Sequence, residues 1–258
     1  MITVSKAAPS KVPEVTLVFW IIKIAATTLG ETAGDALSMT EKLGYATSTG
    51  IFGALFIVLV AAQIRARKFH PALYWAVIVA TTTVGTTMAD FADRSLGIGY
   101  LGGTLILLAS MMAVLGLWRF SMGSVSVDHI STPRAEGFYW VTILFSNTLG
   151  TALGDYLADG AGLGFEGGAL VFAAALALVA AAYFYTSISR ATLFWLAFIL
   201  TRPLGATVGD LLDKPVAAGG FNLSRITASA VLALFIVAMV TFTRQRASRH
   251  PGEQEQGS

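Results

Sequence analysis

Four copies of one short pattern constrain what this chain can fold into. Gly-x-x-x-(Gly/Ala)-Asp occurs at Gly30, Gly34 and Asp35, at Gly85, Ala89 and Asp90, at Gly150, Gly154 and Asp155, and at Gly205, Gly209 and Asp210. Ten residues before each leading Gly stands a tryptophan: Trp20, Trp75, Trp140 and Trp195. Each is preceded by an aromatic residue: Phe19, Tyr74, Tyr139 and Phe194. The chain holds only five tryptophans, so four of them at one equivalent position excludes coincidence. The aspartates are 55, 65 and 55 residues apart, the longer central step coming from a polar insert at 121–137. Such self-similarity reads as two halves, each of two repeats.

Between the copies the chain is strongly apolar. It is 55% hydrophobic and 12% charged, against about 25% charged in ordinary soluble domains. A bilayer is the solvent such a chain suits. A helix crosses it with about 20 apolar residues, and spans are expected near 15–36, 47–64, 71–91, 99–118, 137–157, 167–186, 191–211 and 223–243. The expected fold is an all-α polytopic membrane bundle of eight transmembrane helices built from four two-helix repeats. Its divisions are a cytoplasmic N-tail 1–14, a first membrane half 15–120, a cytoplasmic linker 121–136, a second half 137–243 and a disordered cytoplasmic C-tail 244–258. Two spans per repeat give every repeat the same orientation, so the pseudosymmetry axis runs along the membrane normal.

In this arrangement of four tandem two-span repeats, each with a characteristic tryptophan, the chain resembles a bacterial family of integral membrane proteins known for a repeat of unknown function. The resemblance covers roughly residues 15–245. It implies the fold and brings no activity.

Lys and Arg set the expected orientation. Eleven fall on the side of the termini and four, Lys42, Arg94, Lys214 and Arg225, on the other. Ten of the fifteen acids lie toward that second side. The expected location is a bacterial inner membrane, with both termini cytoplasmic. Each odd-numbered span then carries its tryptophan near the inner interface and its aspartate at the outer one, roughly 22 Å apart for fifteen residues at about 1.5 Å each.

Residues four apart share a helix face. The leading glycines Gly30, Gly85, Gly150 and Gly205 and their small partners therefore form smooth strips, through which helices approach closely in a bilayer. The odd spans are expected to pack together and the nearly uncharged even spans to ring them. Asp35, Asp90, Asp155 and Asp210 would then converge at one depth, lining a polar cavity open to the outside and binding a cation or metal ion. The alternative is that each Asp caps the next helix or anchors a loop.

Departures from the repeat are informative. Glu31 stands where the other copies have Thr86, Thr151 and Ala206, and Arg202 where they have Thr27, Thr82 and Asn147. The two lie one turn apart in depth and suit an ion pair, or gate, joining the first and fourth repeats, and Glu31 is also expected to bind or couple the cation beside the aspartates. Pro203 is expected to bend or break the seventh span. Lys23 lies deeper and either snorkels to the inner interface or faces the cavity as a built-in cation. The hydroxyls and amide of Thr27, Thr28, Thr82, Thr83, Asn147 and Thr148 suit a hydrated path.

Other chemistries find no support. There are no cysteines, and His70, His129 and His250 fall in predicted loops or the tail. No zinc-protease, Walker or nucleophile-elbow motif is present. The reading is therefore not an enzyme, without cofactor, and with a net charge of +2 that indicates no nucleic acid. Expected partners are membrane lipid and a cation substrate, with a homo-oligomer left open. The leading function is a transporter or permease for a proton, sodium or a hard divalent metal such as manganese or magnesium. The alternatives are a proton-coupled carrier of a small organic solute and a non-catalytic membrane scaffold.

Overall fold

The computed structural model describes residues 10–127, 130 and 132–248. Lys6, His129, Arg249 and His250 lie outside them. Eight long helices follow one another: α1 (Leu17–Asp35), α2 (Gly44–Arg65), α3 (Pro71–Asp90), α4 (Tyr100–Met122), α5 (Pro133–Asp155), α6 (Gly164–Tyr185), α7 (Arg190–Asp213) and α8 (Arg225–Phe242). Local chemistry starts them where it should. Thr16, Thr132, Ser189 and Ser224 accept a backbone N–H from the first turn of α1, α5, α7 and α8, and Pro71 and Pro133 occupy the first turn of α3 and α5, where no N–H is needed.

Seven of the eight are long and apolar enough to cross a membrane. The exception, α5, carries Glu136 and the polar run Ser146–Asn147–Thr148, yet it is one wall of the same ring. That ring is α1, α3, α5 and α7: α1 packs on α3, α3 on α5, α5 on α7, and α7 back on α1. The outer helices surround it. Only 11–22% of the most apolar part of α2, α4, α6 and α8 is buried within the protein, against 56–72% for α1, α3 and α7. Each outer helix packs chiefly on the inner helix of the next repeat: α2 on α3, α4 on α5, α6 on α7, and α8 on α1. The last helix thus closes the ring onto the first.

Two contacts repeat cyclically and explain the repeated residues. A Cβ on each leading Gly would come within 2.9–3.0 Å of backbone or ring atoms of the next inner helix: Gly30 on Thr82, Gly85 on Asn147, Gly150 on Pro203, and Gly205 on Thr27. At the other end each tryptophan packs on the aromatic of the preceding repeat. Trp75 lies 5.4 Å from Phe19, Trp140 5.6 Å from Tyr74, Trp195 6.2 Å from Tyr139, and Trp20 5.8 Å from Phe194. Trp75, Trp140 and Trp195 are buried, whereas Trp20 is half-buried. Large rings thus fill one end of the ring of inner helices, while bare glycines let the helices approach closely further along.

Stepping four residues at a time along each inner helix gives five buried layers, about 6 Å apart. Phe19, Tyr74, Tyr139 and Phe194 form the first. Lys23, Ile78, Ile143 and Phe198 form the second, and Thr27, Thr82, Asn147 and Arg202 the third. Glu31, Thr86, Thr151 and Ala206 make the fourth, and the four repeat aspartates the fifth.

Beyond the aspartates, α1, α3 and α5 each run into a π-helical turn, Ala36–Thr40, Phe91–Ser95 and Tyr156–Gly160. α7 instead ends at Asp213, because Pro215 stands where the others have Thr40, Ser95 and Gly160 and has no N–H to bond back. The expected break at Pro203 does not occur: α7 is continuous through it. The ring of Pro203 packs against the bare Gly150 backbone of α5.

The first part of the expected disordered C-tail, 244–248, has structure, while 249–258 lie outside the described residues. Pro13 bridges Ala247, Glu14 N–H donates to Arg246 O at 2.9 Å, and Ser248 N–H donates to Val12 O at 2.8 Å. Residues 246–248 are therefore paired with residues 12–14 at the tryptophan end. Val12, Val127 and Ile130 are buried in the same core as the aromatic layer. Lys11 pairs with Glu136 at 2.6 Å, and Trp195 donates to Val125 O at 2.9 Å. Polarity in this segment concealed backbone pairing that a sequence pattern does not encode.

Candidate functional site: a ring of acids bridged by bases

The aspartate layer is fully buried, yet none of Asp35, Asp90 and Asp155 makes a side-chain capping bond to the turn that follows it. Their partners are bases. Lys214 lies between Asp35 (2.5 Å) and Asp210 (2.9 Å). Arg94 lies between Asp90 (3.1 Å) and Asp155 (3.3 Å). Arg225 at the start of α8 reaches Asp213 at 3.3 Å and Asp35 at 3.7 Å. Burial works against the Lys214 charge, but Asp210, Asp35 and Asp213 outweigh it and hold the amine above the ordinary lysine range.

Both bridging bases come from the even repeats, four residues after the repeat aspartate. The odd repeats have Met39 and Asp159 there and borrow the base of a neighbour. Each bridge therefore joins one half of the chain to the other: repeat 2 to repeat 3 through Arg94, and repeat 4 to repeat 1 through Lys214. The sequence held this signal as Asp90-x-x-x-Arg94 and Asp210-x-x-x-Lys214, an i,i+4 pairing. What it could not tell was which second aspartate each base would reach.

The four aspartates consequently do not form the single ligand set expected. Among the described residues, one group of three carboxylates can offer oxygens within 4.8 Å of one another: Glu31, Asp35 and Asp210. Asp90 and Asp155 stand apart from it, gathered by Arg94. Within the group, Asp35 Oδ1 is buried without a hydrogen-bond partner.

Below it, Arg202 crosses the ring interior. Its Nη2 is 3.0 Å from Glu31 Oε2, 2.6 Å from Thr86 Oγ1 and 2.5 Å from Thr151 Oγ1. One guanidinium on α7 thus touches α1, α3 and α5 together, at positions that are equivalent in the repeat. Lys23 does not snorkel. It is fully buried, its ammonium 4.2 Å from the Phe198 ring centroid. Thr28, Thr83 and Thr148 donate back to carbonyls of their own helices. Of the expected polar path, Thr27 reaches Thr201 O at 3.1 Å and Asn147 donates to Thr81 Oγ1 at 3.0 Å, both across inner-helix seams.

One known family, described as a Repeat of Unknown Function (DUF347), matches the chain four times, at residues 18–69, 73–124, 138–189 and 193–247. The chain belongs to that family. No curated protein and no solved structure matches it. Each DUF347 match spans one inner helix and the outer helix after it. The tryptophan, the Gly strip and the aspartate thus belong to every DUF347 repeat of this chain. Glu31, Lys23, Arg94, Arg202 and Lys214 are departures of single repeats or of alternate ones. This is a multi-pass membrane protein with a buried acidic cluster.

Proposed function

We propose that the protein is a non-enzymatic cation transporter or permease of a bacterial inner membrane, with both termini cytoplasmic and the aspartate end facing out. The observation that carries this reading is the group Glu31, Asp35 and Asp210, whose oxygens come within 4.8 Å while Asp35 Oδ1 has no partner. Clustered carboxylates in a membrane interior are costly unless a positive charge joins them. Lys214 supplies that charge, held by Asp35 and Asp210. An entering cation competes for the same oxygens and releases the lysine. Carboxylate oxygens suit hard ions, so manganese, magnesium, sodium and protons are the candidates.

Arg202 and Lys23 form the gate. A cation leaving the group toward the tryptophan end meets the Arg202–Glu31 pair and then the Lys23 ammonium, two positive charges in a medium of low dielectric.

The test is ion flux into proteoliposomes of the purified chain, one candidate cation at a time. Saturable flux of at least one cation is expected, lost in Asp35→Asn and Asp210→Asn at equal protein incorporation. No flux of any of the four, or unchanged flux in both variants, overturns the reading.

A further inference from the structure

On the outside of the ring, a groove with a single charge in it runs between α4 and α5. Val114 and Leu117 of α4 and Arg134, Gly137, Phe138 and Val141 of α5 line a concave space of about 440 Å³. Departures from the repeat shape it. Gly137 stands where the other copies have Leu17, Ala72 and Thr192, and a Cβ there would meet nothing within 4 Å. Arg134 stands where they have Glu14, Phe69 and Ser189. Phe138 stacks on the buried Trp118 of α4, centroids 6.3 Å apart, which fixes that wall. Leu117 and Val141 are exposed, so the groove opens away from the ring, toward lipid. Arg134 lies in the first turn of α5, at the tryptophan end, where a spanning helix enters the headgroup layer. It is exposed and takes no part in the ion pairs among the described residues. Arg134 and Val141 are seven residues apart, roughly 10 Å along the helix.

We propose that this groove binds one anionic phospholipid, its phosphate on Arg134 and the upper part of an acyl chain along Gly137 and Val141. A guanidinium keeps its proton and presents donors in a fork that matches a phosphate. Basic groups between membrane helices hold anionic headgroups in this way. A zwitterionic lipid would bring its own cation beside Arg134. A second copy of this chain would lay an apolar helix over an unanswered charge, which is costly. The site is on the outer side of the ring, and lipid binding there needs no cation flux.

The purified full-length chain in a non-ionic detergent is titrated with dioleoylphosphatidylglycerol, and its melting temperature is read. Dioleoylphosphatidylcholine and sodium phosphate are titrated in parallel. A saturable rise with phosphatidylglycerol alone is expected. Arg134→Gln should raise the lipid concentration at half-effect at least about tenfold, the cost of one charge-assisted contact. Arg65→Gln removes an exposed charge at the end of α2, outside the groove, and should leave the half-effect in place. Gly137→Leu keeps Arg134 but fills the groove with the side chain that repeat 1 carries there, and should weaken binding too. Equal rises with both lipids, the same rise with sodium phosphate, or no response to phosphatidylglycerol, as a second copy seated in the groove would give, overturns the proposal. So does an unchanged half-effect in Arg134→Gln or in Gly137→Leu, or an equal shift in Arg65→Gln.

Discussion

Neutralising Glu31 should show whether one ion pair holds the ring closed. Arg202 Nη2 and Glu31 Oε2 are 3.0 Å apart, with side chains 0% and 3% exposed, so solvent screens them little. At an effective dielectric near 20 their attraction is about 5.5 kcal/mol. Glu31→Gln keeps the shape and leaves an amide oxygen to accept from Arg202, so the loss is chiefly Coulombic. Removing one partner of a buried pair typically costs about 3–5 kcal/mol, because the remaining charge stays buried. The double variant Glu31→Met with Arg202→Met removes both charges and should recover at least half of that loss, for apolar replacements of similar volume are often neutral. Equilibrium unfolding in mixed micelles measures both, with fluorescence of the belt tryptophans as reporter. The reasoning is refuted if Glu31→Gln costs less than about 1 kcal/mol, or if the two sites prove additive within about 0.5 kcal/mol.

Three further outcomes follow from the geometry. Gly205→Ala sets a methyl against the Thr27 backbone at 2.9 Å, while Gly53→Ala meets only Val84 at 3.8 Å; the first should destabilise by about 1–3 kcal/mol and the second gain up to ~1 kcal/mol from helix propensity, read as opposite shifts in unfolding midpoint. The Tyr74 and Tyr139 hydroxyls bond each other at 2.6 Å in the buried belt, so Tyr74→Phe should cost about 1–3 kcal/mol by stranding its partner, and adding Tyr139→Phe should restore part of it. Because the acids hold the Lys214 amine above the ordinary lysine range, it stays protonated and non-nucleophilic at pH 9: an acylating reagent should modify exposed Lys42 and spare Lys214, as peptide mass mapping would reveal, and fast labelling of Lys214 would contradict the bridge.

Much of the architecture was legible because repetition multiplies weak signals. A single Gly-x-x-x-Gly in an apolar helix says little; four at one phase, each ten residues beyond a tryptophan, leave few arrangements open. Depth was legible too, since rise per residue is fixed along a helix: that put Glu31 and Arg202 within one turn of each other. Their meeting required α7 to come back against α1, which no local pattern states. Lys23 was ambiguous for the same reason. Its place in the sequence allows either a lipid-facing or an inward direction, and rotation about the helix axis chose the buried one.

The sequence by itself determined periodicity: how many helices, which run in the same direction, and which residues share a level. These follow from covalent spacing and the thickness of a bilayer. Only the tertiary structure decided closure and partnership. α8 covers α1, residues 12–14 pair with 246–248 at the tryptophan end, and the bases of even repeats reach across to the aspartates of odd ones. Each of those contacts joins residues far apart in the chain, and its energy depends on distances between helices that are set only when the whole ring has packed.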